Sequence, residues 1–260
     1  MNEKVEEIGP ERISFATFLL RLLAGAAGGV AGGLILLLMF ILASSVFEPI
    51  ASLGEDLSYI SPIFTFILLM MIFVSATIGN IAAVWLMGLV EQEKYKKIAS
   101  TIYQIFIINL IIFLLLAPVY FVTGTADPTI TAYVVALHIV ISAQVSALVM
   151  EIISNYRYSL VGVYGVTLSI LVSAGVLFSL AGFIVSPQIL LFLALPAVWI
   201  TIAVVGAIVN NLYSWLAKTY DKDFLAADEL YGDDYGKEIE EEEEVKAKDE
   251  TGGDFLRHNK

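Results

Sequence analysis

His138, Ser142 and Thr131 are the residues of this 260-residue chain whose types and spacing come nearest to chemistry. His138 is ionisable and sits near the middle of a long apolar run. A group in that setting lines a cavity, relays a proton or hydrogen-bonds a neighbour. Ser142 follows one helical turn later and Thr131 lies two turns before, so the three share a helix face. Ser142 and His138 make only half of a nucleophile–base arrangement. No third group orients the imidazole, and no glycine-flanked turn presents the serine. A lone imidazole without Asp, Glu or a second His is a poor metal ligand set. The chain has no Cys, which removes thiolate sites and Cys nucleophiles. The expectation is a protein that is not an enzyme, with no metal and no cofactor, and with one intramembrane polar site at His138, Ser142 and Thr131.

The other polar groups inside apolar runs are amides: Asn80, Gln104, Asn109, Gln144, Asn210 and Asn211. They can hydrogen-bond across helices or line a transport path, and residue type alone does not separate the two. The sharpest packing signal is glycine. Gly25, Gly29 and Gly33 form one i,i+4 row, with Gly28 and Gly32 in a second row beside it. Rows of this kind let another helix backbone come close. The partner is either a second copy of the chain, a pore lumen, or another helix of the same chain. Gly165, Ser169 and Ser173, or Ser75, Gly79 and Ala83, are small-residue rows that could receive it. A Leu at Gly29 is expected to disrupt the bundle, and truncation of Leu36 to be mild.

The elements that must position these residues follow from composition. Hydrophobic residues make up 58% of the chain and charged ones 15%, with a mean hydropathy of +0.84. A soluble domain has about 25% charged residues, so the chain reads as all-α and polytopic. Six apolar runs, at 23–47, 62–90, 99–123, 128–151, 159–185 and 187–217, are each long enough for the hydrocarbon core. Basic residues occupy alternate loops only: Lys4, Arg12 and Arg21, then Lys94, Lys96 and Lys97, then Arg157 and the tail lysines. The positive-inside rule then puts both termini in the cytoplasm, with the chain in the plasma or inner membrane. Ser61-Pro62, Asp127-Pro128 and Ser186-Pro187 supply a capping oxygen and a first-turn proline to the three helices that start outside. Pro118 and Pro196 should kink the third and sixth spans. Trp85 and Trp215 suit the interfacial belt, and Glu151 with Arg157 can pair across the fourth turn.

Residues 1–22 read as a cytoplasmic or interfacial amphipathic segment, because one helix from Pro10 to Phe47 would run roughly 57 Å. It should bend into the membrane near Gly25. The transmembrane domain is 23–217. Residues 218–260 hold 15 of the 26 acidic and 7 of the 14 basic side chains and read as a disordered cytoplasmic tail. There Tyr231, Tyr235, Glu240, Glu241, Glu242, Glu243 and Glu244 form a candidate grip for a basic cytoplasmic protein. An acidic chain with no basic patch excludes nucleic acid as a partner. Two functions fit. One is a membrane scaffold or accessory subunit, packed through its small-residue faces into a homo-oligomer or larger complex in the lipid bilayer. The alternative is a small permease or channel with its path near the glycine-rich first helix and His138.

Overall fold

The computed structural model describes residues 12–51, 62–92, 94–124, 128–154, 159–184 and 189–219. They form α1 (Phe15–Ala51), α2 (Pro62–Val90), α3 (Ile98–Gly124), α4 (Pro128–Val149), α5 (Ser159–Phe183) and α6 (Ile189–Thr219), with a π turn at Met150–Ser154 closing α4. All six helices contain a span long and apolar enough to cross a membrane, and the protein is a multi-pass integral membrane protein. The bundle is the compact unit Pro10–Tyr213. Ser214–Thr219, the end of α6, belong to a second unit whose other residues lie outside the described ranges.

Local chemistry sets the helix starts. Ser14 Oγ accepts a 3.1 Å bond from the Thr17 amide, the arrangement of an N-cap serine, and α1 begins at the next residue. The preceding amide, of Ile13, donates to Asn211 Oδ1 at 2.8 Å. Phe15–Leu22, the described helical part of the expected interfacial segment, are the first turns of one helix that continues through Gly25. α2 and α4 begin at Pro62 and Pro128, where a missing N–H costs nothing. Ser61, Asp127, Ser186, Pro187 and residues 1–11 lie outside the described residues.

The glycine rows of α1 pack within the chain. A side chain at Gly28 would run into the backbone of Ala83 in α2, and one at Gly32 would meet the Ser75 carbonyl and Gly79. Gly29 lies against the Pro196 ring and backbone in α6, and Gly25 against the Trp199 carbonyl. Gly33 abuts the Phe192 carbonyl. That carbonyl is the one Pro196, four residues on, cannot serve with an N–H. A glycine there allows Cα–H···O contact where any Cβ would collide. The row Ser75, Gly79 and Ala83 is thus one partner, and α6 is a partner the small-residue pattern did not point to. Ser169 and Ser173 are not part of this seam, while Gly165 faces Gly206 across α5 and α6. Leu36 is buried in the core, which overturns the expectation of a mild truncation there.

α4 is the most enclosed span, with 61% of its best apolar stretch buried against 22% for α3. It packs against α2, α3 and α5. Leu114, Leu115, Leu171 and Phe178 turn outward, as apolar groups facing lipid tails do.

Candidate functional site

The enclosed position of α4 gathers polar groups around it. Ser142 accepts a 2.7 Å bond from Asn80 Nδ2 and donates to Asn109 Oδ1. Asn80 also donates to Asn109 Oδ1 at 3.4 Å and accepts from the Trp199 indole at 2.9 Å. Asn109 donates to the Ile105 carbonyl at 2.8 Å and to Ser146 Oγ at 3.0 Å. Ser146 donates to the Ser142 carbonyl at 2.7 Å. Four helices meet in this cluster, and all of these side chains are buried. Every amide hydrogen of Asn80 and Asn109 has an acceptor. Such closure is what makes a buried polar group tolerable without water.

One turn away, His138 Nδ1 lies 3.2 Å from the Tyr120 hydroxyl, with the two rings edge to face at 5.9 Å. On the α5 side, Gln144 accepts from Ser169 at 2.8 Å and donates to Ser173 at 3.0 Å. The small residues of α5 therefore serve as hydrogen-bond partners of α4 and not as a seat for the glycines.

A charged cluster closes the bundle end that carries the α2–α3 loop. The Arg21 guanidinium pairs with Glu91 and donates to the Tyr95 hydroxyl at 3.2 Å. Tyr95 in turn donates to Glu151 Oε1 at 2.5 Å, and Lys94 Nζ lies 3.6 Å from Glu151 Oε2. The loop turns tightly enough to do this because the amides of Lys94 and Tyr95 both donate to the Glu91 carbonyl. Gly162 of α5 leaves room for the Glu151 carboxylate, which a side chain there would strike. The π turn continues the inward row: Met150, Glu151 and Ser154 are all buried, Ser154 bonds Thr101, and the Ser154 carbonyl takes the Lys96 amide at 3.2 Å. A step of four residues overshoots an α turn by about 40°, and the wider π turn takes up part of that drift.

Burial pushes the Tyr95 phenol well above its usual range, with the neighbouring Glu151 adding to the effect and Arg21 opposing it. Burial likewise pulls the Lys94 ammonium below its usual value, against the attraction of Glu151. A cavity of about 20 Å³ lies beside these groups, enough for one water-sized occupant. Its walls include Arg21, Lys94, Tyr95, Glu151, Met150 and Asn210.

The three residues singled out from the pattern do not converge on one point. Ser142 joins the central cluster and His138 the Tyr120 pair, while the Thr131 hydroxyl donates to the Thr123 carbonyl at 3.2 Å, beyond them. Gln104 is exposed, unlike the other amides of the spans. Glu151 engages Tyr95 and Lys94; Arg157, its expected partner, lies outside the described residues, as do Tyr231, Tyr235 and Glu240 to Glu244. Trp199, Tyr120 and the Arg21–Glu91–Tyr95 group were not anticipated. The only hint of the last was an arginine placed two turns inside an otherwise apolar helix. Among the described residues no group of three His, Asp or Glu could hold a metal. No known protein family, curated protein or solved structure matches the chain.

Proposed function

We propose that the protein is a small permease or channel whose path follows the α3–α4 interface. The observation that carries this is the run of inward positions on α4 and its π turn. His138, Ser142, Ser146, Glu151 and Ser154 each hydrogen-bond a polar side chain from another segment. Polar groups repeated along the most enclosed span are what a solute crossing lipid needs. The path does not use the glycine rows, which are filled by α2 and α6. The test is reconstitution of the full chain in vesicles and measurement of permeability to water, urea, glycerol, protons and potassium. Permeability above protein-free vesicles for any of them supports the reading. None above that baseline overturns it.

A scaffold or accessory subunit is the second reading, favoured by the closure of the Asn80–Asn109–Ser142 cluster, since interhelical hydrogen bonds also act as glue. In this version the acidic tail recruits a basic cytoplasmic protein. Removal of residues 220–260 then leaves the bundle folded and abolishes salt-sensitive capture of that protein. In either version both termini are cytoplasmic. The bonding of Arg21 to the loop that holds Lys94 supports this, because it gathers basic residues at one bundle end. Lys96 is exposed in that loop. In a chain free of Cys, a Lys96→Cys label reached only from the cytoplasmic face is the expected result, and labelling from outside intact cells reverses the topology.

A further inference from the structure

Resting on the permease reading, we infer the class of what passes. The path accepts a small uncharged hydrogen-bonding molecule, in the size range of water and urea, and Met150 with Ile105 forms an apolar rung that it must cross.

The lining argues for neutrality. Away from the charged end, the bonded groups along α4 are hydroxyls, primary amides, an indole and an imidazole. The described charged side chains of the bundle that are not exposed, Arg21, Glu91, Lys94 and Glu151, lie together at one end and pair with one another, and Arg12, Lys96 and Lys97 are exposed. An ion moving past Asn80 and Ser142 would meet no opposite charge among the described residues to replace its hydration. A neutral molecule with donors and acceptors would exchange bonds with the lining one at a time. A second observation points to such an occupant. The Thr77 hydroxyl, one turn from Asn80 on the same side of α2, is buried and has no hydrogen-bond partner. An orphan hydroxyl in a dry core is unfavourable unless something transient satisfies it.

The rung follows from register. Thr101 bonds Ser154, and Asn109 bonds Ser146. Ile105 lies four residues from each α3 partner, and Met150 four from each α4 partner, so the two occupy the level between. Both are buried. Met150 is also a wall of the cavity at the charged end. The Met150 thioether thus stands between that cavity and the level of Ser146, while Ile105 borders the α3–α4 track at the same level without lining the cavity. Apolar constrictions of this kind shut a path by excluding water.

Stopped-flow light scattering on vesicles holding the full chain tests both parts, with sucrose shock for water, urea and glycerol gradients for solutes, and an entrapped pH dye for protons. Met150→Ser should raise water or urea permeability by about tenfold over wild type, as expected when a dewetted rung is made polar. Proton flux should stay at the wild-type level. Thr77→Val should lower the neutral permeability while leaving thermal stability equal or higher. Should Met150→Ser fail to fold, Ile105→Ser makes the same change from the other side. Ile152→Ser, exposed and off the track, controls for nonspecific leak. Neutral permeability that neither rung variant changes overturns the rung alone. Proton or potassium flux without water or urea flux overturns the solute class and leaves the permease reading standing. No flux in wild type or in any variant overturns both.

Discussion

Tyr95 donates a 2.5 Å hydrogen bond to Glu151 while accepting one from Arg21, so a loop tyrosine ties the first helix to the end of the fourth. The phenol keeps two opposite charges from sharing bare space. Burying a pair of ions is costly unless further hydrogen bonds complete their shells, and Tyr95 supplies one to each.

Tyr95→Phe should lower the stability of the bundle in detergent by about 1–3 kcal/mol at neutral pH, the cost of leaving buried charged groups short of a partner. The pH dependence has a definite sign. The folded phenol titrates well above its ordinary value of 10.0, so its contribution is complete below that pH and declines as pH rises beyond it. Denaturant midpoints of wild type and Tyr95→Phe should therefore converge above pH 10. A gap that stays constant up to about pH 11 would remove Tyr95 from the cluster's energetics.

Gly29→Leu should cost about 3 kcal/mol or more, or prevent folding, because the new side chain must displace the Pro196 backbone and not a movable side chain. Leu34, exposed on the same helix, is the proper mild control, and its truncation to Ala should stay within about 0.5 kcal/mol. Thermal unfolding monitored by size-exclusion recovery separates the two. Equal stability of Gly29→Leu and wild type would contradict the α1–α6 seam.

Asn80 and Ser142 should be coupled. In a double-mutant cycle with Asn80→Ala and Ser142→Ala, the interaction energy should fall between about 0.6 and 1.7 kcal/mol, the range of interhelical hydrogen bonds in membranes. Additive losses would mean that the 2.7 Å bond is not a stabilising contact.

His138→Gln preserves a donor and an acceptor in a similar volume. Its stability should lie within about 1 kcal/mol of wild type, since one bond to Tyr120 is exchanged for another. Vesicle permeability in the same variant carries the functional information. A changed rate with unchanged stability ties the imidazole to the path; an unchanged rate assigns it to packing.

Helix existence and class were legible because apolar runs of this length have few alternatives in water or lipid. The α2 boundaries, Pro62–Val90, agree with the polar punctuation to the residue. The glycine rows of α1 lie against backbone of α2 and α6, and the absence of a Cβ that allows this is itself a residue property. What residue types could not announce was the partner. Ser169 and Ser173 look like small packing residues until Gln144 is seen to need their hydroxyls. Arg21 looks interfacial until Tyr95 and Glu91, distant in sequence, are brought beside it. Hydrogen-bond pairing among buried groups depends on which faces meet. That is a property of the packed bundle and not of any one helix.

The seam between α1 and α6 also has a timetable. Gly29 and Gly33 emerge from the ribosome before Pro196 and Phe192, which cover them and are made only after four further helices. At typical rates of synthesis the delay is on the order of 10 s or more. During that interval the glycine face of the newborn first helix stands open within the membrane, where α2 can cover one edge of it but not the other. α6 therefore completes an interface whose first half is made four helices earlier. A chain that stalls or terminates before α6 exposes the surface best suited to gripping the wrong neighbour.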